Sequence, residues 1–128
     1  MISSSFYHTV YCRLNQDENI LIDSLKFRQI ALAGDKLTGT FLNTGSPALA
    51  EIAGVAGLDW CLLDMEHGSG LCEMLAYQLM AFSGTSTAPI VRLPSLNNVY
   101  FKRALELGAW GGMLPIVNTP EEDRNAVD

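Results

Sequence analysis

The segment Leu62-Leu-Asp-Met-Glu-His67-Gly68 closes an apolar run with two carboxylates and an imidazole. Side chains alternate along an extended strand, so Asp64 and Glu66 share one face and His67 opens the loop that follows. Such groups are costly at the end of an apolar strand if they are buried without partners. An imidazole exchanges protons near neutral pH, which makes His67 a candidate general base or acid. A second apolar run, Pro89-Ile-Val-Arg92-Leu93, ends in a guanidinium. Its planar fork suits a carboxylate, or an oxygen that gains negative charge during a reaction. Each group also has a plainer reading: a structural histidine after a strand, and an arginine that only ties neighbouring strands together by pairing with Asp64 or Glu66.

The elements that must position these groups follow from pattern and punctuation. A helix is expected over Ile22–Ala33, terminated by Gly34. A strand follows over Leu37–Leu42, bounded by Gly34-Asp35 and Asn43-Thr-Gly-Ser46. Ser46-Pro47 reads as a helix cap with proline at the first helical position, and Gly57 closes that helix. Asp59–Asp64 is the next strand, Leu71–Phe82 a helix, and Pro89–Leu93 a third strand. Asn97 or Asn98 caps a helix that runs to Leu107, and Gly112–Val117 is a fourth strand. Thr119-Pro-Glu-Glu122 begins a further helix. Mostly apolar strands alternating with helices imply an α/β chain with a parallel sheet. Both the doubly wound sheet and the eight-stranded barrel share this pattern, and both gather reactive residues at the carboxyl ends of the strands. A barrel needs about 250 residues, so length alone favours a small open sheet, whereas the polar residues at the strand ends favour the N-terminal half, about four βα units, of a TIM (β/α)8 barrel, with the fourth strand left unpaired at one edge.

Composition narrows the function. The 128 residues are 48% hydrophobic and carry a net charge of −6, enough apolar content for a core and a surface that repels phosphate backbones and anionic lipid. Nucleic acid and membrane are therefore not expected partners. Three cysteines without a CxxC pair fit neither a disulfide framework nor a zinc knuckle, so the expected setting is the reducing cytoplasm, with Cys61 as a small buried hydrophobe. Residues 1–22 read as an unassigned extension with only a faint likeness to a targeting leader, and 23–128 as the partial barrel domain. Gly68-Ser-Gly70 and Gly34…Gly39 lack the remaining residues of a phosphate loop and read as turns.

The blocks Gly39-Thr-Phe-Leu42, Ser46-Pro47, Leu63-Asp-Met-Glu-His-Gly68, Ala88-Pro-Ile-Val-Arg92 and Lys102-Arg-Ala-Leu-Glu-Leu-Gly108 together resemble the HpcH/HpaI aldolases. These are class II, metal-dependent lyases of 2-oxo acids. The resemblance implies a barrel in which a divalent cation, Mg²⁺ or Mn²⁺, holds a small 2-oxo acid substrate. His67 would be the catalytic base and Arg92 would stabilise the enolate oxygen, while Asp64 and Glu66 would order metal-bound water and Phe41 would stand with them at the substrate. Glu106 takes the place of the family's usual aspartate that raises the basicity of the histidine. Because it precedes the fourth strand, it lies at the far end of the barrel from its own His67, so a second subunit of a homo-oligomer would have to supply it. None of these 128 residues is the family's metal ligand, and the glutamate and aspartate ligands would come from later strands. Two other readings are a noncatalytic half-barrel associated with another chain and a citrate-lyase-like relative that uses an acyl-CoA.

Overall fold

The computed structural model describes residues 10–11, 18–68, 72–95, 97–115 and 119. Among these described residues nine elements follow in order: β1 Val10–Tyr11, α1 Glu18–Ala33, β2 Gly39–Leu42, α2 Pro47–Val55, β3 Trp60–Asp64, α3 Cys72–Ala81, β4 Ala88–Arg92, α4 Asn98–Glu106 and β5 Gly111–Met113. Strands β2 to β5 pair in parallel, and the sheet order is β1-β5-β4-β3-β2. Parallel neighbours joined through helices are the expected α/β arrangement of successive βα units.

The caps sit where the sequence puts them. Ser46 Oγ accepts from the Leu49 amide at 3.4 Å, with Pro47 in the first turn of α2. Asn97 Oδ1 accepts from Val99 at 2.9 Å to start α4. At Gly108, φ is +106°, the left-handed turn that releases the chain from α4 toward β5.

Register decides which residues share a face. Trp60, Leu62 and Asp64 of β3 stand beside Ala88, Ile90 and Arg92 of β4, and Phe41 of β2 stands beside Leu62. Cys61, Leu63, Val91 and Leu93 alternate with these residues and join Ala50, Ala53, Leu75, Leu79, Phe82, Phe101 and Ala104 in one buried cluster. Helices α2, α3 and α4 therefore cover one face of the sheet. The other face, the interior side of a barrel, carries Phe41, Trp60, Leu62, Ile90, Asp64 and Arg92. At Gly112 a Cβ would run into the Phe101 ring, so α4 seats tightly on β5 only because that position is glycine. Cys61 is fully buried, and burial pushes its thiol up to about 11, as expected of a packing residue and not of a nucleophile.

Two features depart from the sequence reading, and a third expectation lies outside the described residues. Helix α1 begins at Glu18, ahead of the apolar periodicity that starts at Ile22 and inside the segment read as an unassigned extension. Val10 and Tyr11 pair antiparallel with Met113 and Gly112, so the outer edge of β5 is covered over those residues; a two-residue strand has no periodicity to read. The expected strand end at Val117 and the helix from Thr119 fall, apart from Thr119 itself, outside the described residues.

Candidate active site at the carboxyl ends of the strands

Strand β3 ends at Asp64 and β4 ends at Arg92, its partner in register. Arg92 Nε donates to Asp64 Oδ1 at 2.9 Å, and Nη2 donates to Oδ2 at 2.6 Å. This bidentate, charge-assisted pair fixes the plane of the guanidinium. The same Oδ1 accepts the backbone amides of Glu66 at 3.0 Å and His67 at 3.1 Å, which folds the chain into a tight turn after β3. Gly68 completes that turn, since a Cβ there would collide with the Asp64 carbonyl. The Asp-x-Glu-His-Gly spacing thus has a local physical cause: the aspartate caps the loop that presents the glutamate and the histidine.

Asp64 is only 5% exposed. Burial alone would raise its carboxyl, but hydrogen bonds from Arg92 and from the His67 and Glu66 amides, with the charge of Arg92, hold it below the usual carboxylate range. The bond to Asp64 raises Arg92, outweighing its own burial. Glu66 Oε2 lies 3.4 Å from Arg92 Nε, and Glu66 Oε1 lies 3.5 Å from His67 Nε2. Glu66 therefore bridges guanidinium and imidazole. The His67 side chain is 68% exposed, open to whatever occupies the rim. Phe41 closes one side, with Arg92 Cζ 5.6 Å from its ring centroid.

Five of the six expected residues, Phe41, Asp64, Glu66, His67 and Arg92, thus converge. Glu106 does not join them: it ends α4, is exposed, and sits 3.8 Å from Lys102 one helical turn back. The plainer reading of Arg92 is also visible, because its pairing with Asp64 ties β3 to β4. The pairing uses the Nε–Nη2 edge, however, and leaves Nη1 without a hydrogen-bond partner among the described residues.

These residues do not fit a cation by themselves. Among the described residues no three of His, Cys, Asp or Glu gather as a metal-binding group, and both Asp64 oxygens are already engaged.

A family profile described as HpcH/HpaI aldolase/citrate lyase matches residues 37–128. This chain belongs to the HpcH/HpaI aldolase/citrate lyase family. It is 38% identical over 102 residues to the 5-keto-4-deoxy-D-glucarate aldolase of Salmonella paratyphi A, covering 80% of this chain and 40% of the relative. A solved HpcH/HpaI aldolase/citrate lyase family protein from Burkholderia cenocepacia superposes with a TM-score of 0.73 at 34% identity, over 80% of this chain and 41% of that one. The citrate synthase SbnG superposes with a TM-score of 0.66 at 28% identity, over 73% and 38%. The chain therefore spans about 40% of the length of the curated relatives it matches. The four parallel strands and their helices correspond to part of the barrel of this HpcH/HpaI fold.

Sequence reasoning gave no role to Trp60. Its ring meets Phe41 edge to face, with centroids 5.9 Å apart and planes at 81°. The available signal was Gly39 inside the expected strand Leu37–Leu42, since a glycine within a strand marks a close approach.

Proposed function

We propose that the chain is part of a carbon–carbon lyase that cleaves 4-hydroxy-2-oxo acids to pyruvate and an aldehyde, with His67 and Arg92 as reacting groups of the complete barrel. The observation that carries this reading is the Arg92 guanidinium, clamped in plane by Asp64 with its Nη1 edge left over, on the rim that also presents His67. In the cleavage direction His67 accepts the proton of the C4 hydroxyl, and the C3–C4 bond breaks as the aldehyde carbonyl forms. The bonding pair moves through C2 onto the keto oxygen. Arg92 holds that enolate oxygen through Nη1, and protonation at C3 completes pyruvate. Asp64 keeps the guanidinium charged and oriented. Glu66 sets the imidazole through its contact with Nε2, and Phe41 shields the site from water on one side.

A divalent cation would supply electrophilic assistance at the keto oxygen when bound. We place its ligands on residues that this sequence does not contain, and no step assigned to His67 or Arg92 runs through it. Glu106 would act only on the His67 of another subunit in a homo-oligomer, and the setting we propose is the cytoplasm. Pyruvate release from a 4-hydroxy-2-oxo acid, measured on the protein carrying all eight barrel strands, tests the reading. Turnover is expected, and its absence with Mg²⁺ or Mn²⁺ supplied would overturn the assignment.

A further inference from the structure

Arg92 is held in its plane by Asp64, but a guanidinium can still swing on its stem unless something covers its face. Phe41 does so, and Phe41 is itself half exposed. What fixes Phe41 is the residue diagonal to it on the interior face. In register, Gly39 stands beside Trp60 and Phe41 beside Leu62. A Cβ built at Gly39 would fall inside the indole of Trp60, so the ring lies directly on the glycine backbone. From there it meets Phe41 edge to face, 5.9 Å between centroids, the geometry that aromatic quadrupoles favour. The contacts form one chain: Gly39 backbone, Trp60 ring, Phe41 ring, Arg92 guanidinium.

We propose that Trp60 is a positioning residue for Arg92, acting through Phe41, with Gly39 as the bare backbone that lets the indole lie flat. Trp60 touches no reacting atom. Its effect is to hold the Phe41 face under the guanidinium, so that the Nη1 edge left over by Asp64 keeps one direction. This inference rests on the reading of Arg92 as the group that holds charge, and its test reads geometry instead of turnover, so the two can fail separately.

The test is the rate at which phenylglyoxal modifies Arg92 in the 128-residue chain, located by peptide mass spectrometry, with exposed Arg103 as internal reference. Trp60→Leu should speed modification of Arg92 about three- to fivefold, the factor that corresponds to losing an ordinary cation–π contact. Phe41→Leu should do the same, and the double variant no more than either single one. Trp60→Phe should restore the slow rate. Arg103 should not change. Alkylation of buried Cys61 reports whether a variant stays folded; should Trp60→Leu expose it, Gly39→Ala, which displaces the indole without deleting it, serves instead and should also speed Arg92. An unchanged Arg92 rate in a folded Trp60 or Gly39 variant, or additive effects of Trp60→Leu and Phe41→Leu, would overturn the proposal. Loss of turnover in Arg92→Ala with an unchanged phenylglyoxal rate in Trp60→Leu would leave the proposed reaction standing and remove Trp60 from it.

Discussion

Asp64 and Arg92 stand opposite each other at the ends of two adjacent parallel strands, joined by two side-chain hydrogen bonds of 2.9 and 2.6 Å. The pair ties β3 to β4 and also sets which edge of the guanidinium is left for a ligand.

Removing Asp64 leaves the largely buried Arg92 with only its 3.4 Å ion-pair contact to Glu66 among the described residues, a loss that exceeds what the pair itself contributes. Asp64→Ala should therefore destabilise the chain by about 3 kcal/mol, and it also strips the cap from the Glu66 and His67 amides. Urea denaturation followed by circular dichroism measures this. A loss comparable to that of an exposed ion pair would contradict the burial of Asp64.

The same carboxyl gives a pH signature. Its value in the folded chain lies below that in the unfolded chain, about 3.9, so its contribution is fully present above that pH and is lost as pH falls through the folded value. The difference in melting temperature between wild type and Asp64→Asn should stay constant from about pH 7 to 5 and shrink below about pH 4. A gap that persists unchanged to pH 3 would mean that the carboxylate charge is not what stabilises the rim.

The contrast between what the sequence disclosed and what it withheld follows from the range of each interaction. Ser46, Pro47, Asn97 and Gly108 announce their turns because caps are local, and the convergence of Asp64, Glu66 and His67 is likewise local, a single loop closed on one carboxylate oxygen. Arg92 could be placed on the rim from the rule that strand ends gather reactive groups, but its choice of Asp64 over Glu66 depends on register between strands 28 residues apart in sequence. The Trp60–Phe41 contact depends on register too. Val10–Tyr11 was illegible for another reason: two residues carry no pattern.

Exposed apolar surface leads to a prediction about association. Among the described residues the outer edge of β2 has no strand partner, and α2 shows Ile52 at 62% and Val55 at 73% exposure on its outer face. Open parallel edges and apolar helix faces recruit other chains. Light scattering should show the 128-residue chain associating as concentration rises, and Ile52→Lys with Val55→Glu should weaken that association. A monomer at all concentrations would show that neither surface is sticky.

The last prediction concerns catalysis by the proposed site. In the protein with its complete barrel, His67→Ala should lower the rate of pyruvate release by about two to four orders of magnitude, the range for loss of a general base. Arg92→Ala should cost about two to three orders, because the enolate oxygen loses a donor already aimed at it. Arg92→Lys should rescue little, since an ammonium cannot grip both Asp64 oxygens and still present a fixed edge outward. The 128-residue chain alone, which lacks a gathered metal-binding group among its described residues, should release little pyruvate with or without Mg²⁺ or Mn²⁺. Robust turnover by that chain would place the cation's ligands within it. Near-normal kcat in both His67→Ala and Arg92→Ala would instead move the chemistry away from this rim and leave Asp64–Arg92 as a strand tie alone.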